Sequence, residues 1–159
     1  MIGRMPTNRP TNQLPNLVDP EHPFAMVFYP DASGRRIALE WIRSLDVVKK
    51  QAIGHYMHQI LQRLGPAVCE SQAGKNLGGG LLEFRLRTKA PPSTKAVTVL
   101  IRVFFHDLGG HRLLILDGYD KGENPSANYQ DLRIHQARQY LTDFRRRLLP
   151  ALRADGRLP

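Results

Sequence analysis

The sequence predicts one α+β domain in which a helical hairpin packs on a small antiparallel sheet, with a long C-terminal helix closing the fold. Three patterns carry that expectation. Val48, Ala52, Tyr56, Ile60 and Leu64 recur every four residues, a helical stripe flanked by Ile53, Met57 and Leu61. Residues 81–87, 97–105 and 112–116 are short apolar runs lying between turn signals. Ile134, Ala137, Tyr140 or Leu141, Phe144 and Leu148 restore the helical period near the end.

In chain order, residues 1–20 mix proline, asparagine and basic residues with neither period, and are expected to form a disordered or loosely docked leader. They hold no apolar core segment of the kind a secretory signal needs. Phe24 to Tyr29 form an apolar run ended by Pro30, the simplest candidate for a first strand. Ser33 is placed to cap a short helix whose stripe is Ile37, Ala38, Trp41, Ile42 and Leu45. Asp46 starts the longer second helix, and Gly65-Pro66 stops it. Residues 71–80 contain Lys75 and the triple glycine Gly78-Gly79-Gly80. A Walker-type loop runs from Gly-Lys-Ser/Thr into a helix, whereas Leu81 begins a strand, so a mobile turn is expected here. Pro91-Pro92 oppose ladder pairing and mark a loop over 89–95. Asp107-Leu108-Gly109-Gly110 reads as a hairpin turn. The final helix is expected from about 126 to 148, closed by Pro150. The folded domain is therefore 21–149, with 150–159 as a tail.

The chain has 159 residues, enough for one hydrophobic core, and 23 basic against 14 acidic residues give it a net charge of +9. That balance favours polyanionic partners, whether nucleic acid, an anionic membrane surface or an acidic protein. The single cysteine, Cys69, excludes an intrachain disulfide framework and a multi-cysteine zinc site. No apolar run approaches membrane-spanning length, and the cytoplasm is the expected location. Among the histidines, His55 and His58 stand three apart on a helix, yet no His-Glu-x-x-His motif or third ligand accompanies them. No metal or organic cofactor is expected. Gly-x-Ser-x-Gly, dinucleotide-binding and kinase signatures are missing, which sets hydride transfer and ATP-driven chemistry aside.

What remains is a basic residue beside or at the end of each strand-like run: Arg85, Arg102 and Lys121. On one small sheet they would form a cationic site suited to a phosphodiester. RNA cleavage asks little more, because the 2′-hydroxyl is carried by the substrate. The protein has only to orient the backbone, offset charge on the pentacovalent phosphorus and help protons leave and arrive. Arginine's planar fork suits the phosphate, and Tyr119 or Tyr129 can stack on a base or donate a hydrogen bond. Against this stands the plainer reading of a solvated strand face, and the residues alone do not separate nucleic-acid binding from cleavage.

Three segments carry a family resemblance. They are Lys75-Asn76-Leu77-Gly78-Gly79-Gly80-Leu81-Leu82-Glu83-Phe84-Arg85, then Ile101-Arg102-Val103-Phe104-Phe105, then Leu116-Asp117-Gly118-Tyr119-Asp120-Lys121 with Asn124-Pro125 after it. In order and spacing, from about 24 to 137, the chain resembles the RelE/HigB group of type II toxin–antitoxin toxins, especially its phage-derived HigB-like branch. The resemblance implies a microbial-ribonuclease-type α+β domain that cuts messenger RNA on the ribosome. It also implies silencing by a cognate antitoxin, a helix-turn-helix protein encoded nearby. Arg102 would hold the scissile phosphate, Arg85 and Lys121 would complete the clamp, and Lys75, Tyr119, Tyr129 and Arg133 would contact RNA. ParE-like toxins share the scaffold and poison DNA gyrase instead. Ile101 and Gly122 stand where the family has a tyrosine and a second lysine, features that suit an inactive prophage-derived binding module.

Overall fold

A computed structural model of the protein describes residues 19–90 and 97–158, so the expected leader lies almost wholly outside the described residues, as do Pro91 and Pro92. Two multi-helix segments pack against a five-stranded mixed sheet of order β1-β5-β4-β3-β2. The strands are β1 (Ala25–Phe28), β2 (Gly74–Gly78), β3 (Leu81–Ala90), β4 (Val97–Gly109) and β5 (Arg112–Asp120). Consecutive strands from β2 to β5 pair antiparallel, as expected, but β1 lies parallel to β5. The difference follows from connectivity: β1 reaches its partner only through the intervening helices and three strands, a crossover and not a hairpin.

Residues 71–80 are not a mobile turn. Residues 74–78 form β2, and Gly78, Gly79 and Gly80 turn it into β3 with φ of 84°, 64° and 86°. Side chains oppose that left-handed backbone, which is why three glycines stand together. The turn is also held from outside. His106 Nδ1 bonds the Gly80 carbonyl at 2.7 Å, and Arg138 and Arg145 donate to the carbonyls of Leu77, Gly78 and Gly79. The second hairpin turns at Gly110 and His111, with φ of 59° and 58°, slightly later than the sequence suggests.

The first helical segment runs through α1 (Ile37–Ser44), α2 (Val47–Tyr56), a π-helical turn (Met57–Leu61), α3 (Gln62–Leu64) and a 3₁₀ turn (Gly65–Glu70). Asp46 caps α2 as expected, accepting from the Lys49 amide at 2.9 Å. Ser33 does not cap α1; its hydroxyl donates to Asp31 in the preceding turn. The second segment is α4 (Ala127–Asp143), a π-helical turn (Phe144–Leu148) and α5 (Leu149–Ala154). Ser126 caps α4. Pro150 does not end the helix, because the π turn just before it gives the backbone room for a residue that has no N–H to donate. The chain closes at Gly156 (φ 67°), where Gly156 and Arg157 donate back to Arg153 and Leu152. Leu158 beyond it is buried, so the expected tail packs on the domain.

Each face of the sheet has its own core. Ile53, Met57 and Leu61 meet Phe84, Ile101, Val103 and Phe105 on one face. Ala137, Leu141 and Phe144 meet Leu81, Phe104, Leu114 and Leu116 on the other. A bulge in β5 shifts the register from Phe105↔Ile115 to Phe104↔Asp117. After it, Tyr119 faces α4 and Gly118 lies under Trp41 of α1. A Cβ at Gly118 would stand 2.3 Å from Trp41 Cζ3 and 2.9 Å from the Arg102 carbonyl. Gly118→Ala is therefore expected to destabilise the fold by about 1–3 kcal/mol in urea titration, with part recovered when Trp41→Leu is added.

Candidate functional site

Backbone register alone brings the central residues together. Arg85 on β3 pairs with Arg102 on β4, which pairs with Tyr119 on β5, one rung across three strands. The next rung is Lys75, Glu83, Phe104 and Asp117. Because side chains alternate, both rungs point to the α4 face.

Glu83 is the hub. It is fully buried, and Arg85 Nε donates to its Oε1 at 2.6 Å while Arg102 Nε stands 3.9 Å from the same atom. Arg102 also donates to the Ile101 carbonyl at 3.3 Å. Three buried polar atoms here have no hydrogen-bond partner among the described residues: Glu83 Oε2, Arg102 Nε and the Tyr119 hydroxyl. Buried polar groups are normally satisfied, so such a concentration marks a place built for something other than packing. Burial lowers the pKa of Arg102, with Arg85 adding to the effect and Glu83 opposing it. Burial first and Glu83 second push the Tyr119 phenol upward, so it keeps its proton as a donor.

The rung opens to solvent at the sheet edge. β2 leaves β3 after Arg85 donates its amide to Ala73 at 2.7 Å. Beyond that point a cleft of about 590 Å³ is lined by Arg85, Arg87 and Arg102, with Tyr56 and Ile60 from the helical side. Glu83 and Arg87 are the residues sequence reasoning left out of the site. The strict alternation of 83, 85 and 87 on a strand was the signal for both.

The other predicted residues are placed unequally. Lys121 continues the β4–β5 ladder one step past Tyr119, its Nζ 3.4 Å from Gln130 on α4. Tyr129 sits edge-on to Tyr119 with ring centroids 5.4 Å apart. Lys75 is exposed on β2 opposite Glu83. Arg133 is committed elsewhere: its Nη2 lies 2.6 Å from both carboxylate oxygens of buried Asp117. Tyr119, Tyr129 and Arg133 line a separate cleft of about 290 Å³ beside Trp41 and the Lys49–Asp120 ion pair. His58 does not pair with His55 as a metal site; it stacks on His22.

No family model, curated protein or solved structure matches the chain. No helix among the described residues is long and apolar enough to cross a membrane.

Burial holds the Asp117 carboxyl above its ordinary 3.8, with Arg133 pulling it back down. A carboxyl raised in the native state favours folding at low pH and loses that contribution as pH climbs through its folded value. Arg133→Ala is thus expected to lose about 3–5 kcal/mol of stability at neutral pH, by leaving a buried charge unpaired. The deficit should shrink as denaturation is moved to more acid pH, where a proton on Asp117 removes the need for a counter-charge.

Proposed function

We propose that this chain is a RelE/HigB-like toxin of a type II toxin–antitoxin pair, an endoribonuclease that cuts messenger RNA on the ribosome. The observation that carries the reading is the Arg85–Arg102 rung opening on a cleft, with the buried Glu83 fixing the arginines from behind. The α+β frame, with helices on both faces of the sheet, suits the microbial-ribonuclease-type fold that the resemblance implies.

In this reading the scissile phosphate takes the guanidinium groups of Arg85 and Arg102, whose forks match its oxygens. Water in the cleft takes the proton of the ribose 2′-hydroxyl, while the fully buried Glu83 holds the arginine forks in place. The freed oxygen attacks the adjacent phosphorus in line, forming a 2′,3′-cyclic phosphate and breaking the bond to the 5′-oxygen. Lys121 supplies the proton with which that oxygen leaves. Lys75, Arg87 and Tyr129 extend the contact along the RNA, and the antitoxin silences the protein by covering this cationic face.

A gyrase-inhibiting, ParE-like reading has one observation in its favour: Glu83 already matches the charge of Arg85 before any ligand arrives. Mapping of ends on ribosome-bound messages separates the two. The nuclease reading expects cuts that carry a cyclic phosphate. Intact messages beside a folded protein that blocks supercoiling would favour the gyrase target.

Arg102→Lys keeps the charge and removes the fork, so cleavage is expected to fall by about 10²–10³ with the urea midpoint nearly unchanged. Glu83→Gln, which loosens the hold on the Arg85 fork, should lower cleavage while leaving RNA binding in place. Undiminished cutting by either variant would remove that residue from the mechanism.

A further inference from the structure

The helical layer on the other sheet face carries a second constellation, remote in sequence from the arginine rung. His22 Nδ1 lies 2.7 Å from Asp19 Oδ2, and His58 Nδ1 lies 3.0 Å from Gln62 Oε1. The two imidazoles stack with centroids 4.1 Å apart and an interplanar angle of 17°. One donor atom from each of Asp19, His22 and His58 falls within 4.8 Å of the others. The His22 side chain is only 11% exposed.

The surrounding hydrogen bonds decide where the imidazole protons sit. An ionised carboxylate only accepts, so His22 Nδ1 must donate to Asp19. Gln62 Nε2 donates to the Phe24 carbonyl at 3.1 Å, which turns Oε1 toward His58. His58 Nδ1 must therefore donate as well. Each neutral ring carries its proton on Nδ1 and keeps a lone pair on Nε2. Both supporting groups are themselves anchored. The Phe24 amide donates to the Gln62 carbonyl at 3.0 Å, and the Glu21 amide donates to Asp19 Oδ1 at 3.0 Å. Those bonds, the Glu21 amide first and His22 next, hold the Asp19 carboxyl below its ordinary value.

Histidines that bind metals typically donate their second ring N–H to a carboxylate or amide oxygen, which fixes the tautomer and the ring plane. Here two adjacent rings have that support already in place. His58 also stands on the π-helical turn Met57–Leu61, and such turns recur at functional positions in helices.

We propose that His22 and His58 bind a first-row divalent cation, with Zn²⁺ as the probe, through Nε2, and that Asp19 and Gln62 are the positioning groups behind them. Imidazole nitrogen suits ions of this class, and the two rings must tilt out of their stack so that both in-plane lone pairs meet one ion at a zinc–nitrogen distance of about 2.0–2.1 Å. Water completes the coordination. The ion ties the segment ahead of β1 to the end of the second helix, so it binds the native chain and stabilises it by mass action.

The test is zinc titration calorimetry on the full chain, with thermal melts and histidine ¹⁵N spectra. The expected result is one ion per chain, Nδ1–H tautomers in both rings before zinc, and Nε2 shifts after it. His22→Gln and His58→Gln should each abolish the zinc-induced rise in melting temperature. Asp19→Asn, which touches no core residue, should weaken binding by about 10–100-fold. His55→Gln, on the neighbouring exposed ring, should change nothing. Zinc binding as tight in His58→Gln as in the parent chain, or a parent chain whose melting zinc does not move, overturns the proposal.

Discussion

The molecule is organised around the burial of one carboxylate. Glu83 has no exposure to solvent, and an ionised carboxylate in that position is strongly disfavoured unless cations meet it. Arg85 meets it from the same strand and Arg102 from the next, so the pairing depends on the β3–β4 register. A slip of one residue in β4 would turn Arg102 to the other face and leave the acid with Arg85 alone. Fold and candidate chemistry therefore rest on one ladder. The same burial lowers the pKa of Arg102, so the arginine and the acid each need the other.

Two further buried acids follow the same logic with the helical layers. Asp117 takes Arg133 from α4, and Asp120 takes Lys49 from α2 at 2.5 Å, with Glu123 joining at 2.9 Å. Tyr29 and Asp143 bond across the other end of the molecule, where Arg147 also donates to the Pro30 carbonyl at 2.8 Å. These links set how each helix lies over the sheet, something apolar packing alone specifies loosely. Part of the positive surplus is structural as well. Arg138 and Arg145 bond the carbonyls of the glycine turn, and Arg85, Arg87 and Arg102 are the basic groups that line the cleft.

Much of the frame was legible in the residues. The helix begun at Asp46, the start of the last helix near 126 and the apolar runs of β3, β4 and β5 each rest on local patterning. The buried line of the first is Ile53, Met57 and Leu61, while Val48 and Leu64 are exposed. What stayed hidden was non-local or lacked a pattern. β2 is Gly-Lys-Asn-Leu-Gly, with no alternation to announce a strand, and it exists because the turn and its arginine donors hold it there. The parallel pairing of β1 depends on a partner far along the chain. Arg85 and Arg102 were readable as a pair, since both sit in strand-like runs. Arg133 was not readable as a structural residue, because its acid is on another element and nothing in α4 points to it. Glu83 looked like an ordinary exposed strand acid until the helices covered that face.

The extra residue at the β5 bulge has an evolutionary reading. It reverses the odd–even phase of everything from Asp117 onward, and that phase puts Tyr119 beside Arg102, Gly118 under Trp41 and Asp120 toward Lys49. Losing the Leu116 codon would erase the bulge and leave all three placements intact, whereas a codon lost between Asp117 and Asp120 would invert whatever follows it in the strand. Homologous lineages should therefore tolerate a strand one residue shorter at the bulge itself, while other indels collect in the turns on either side.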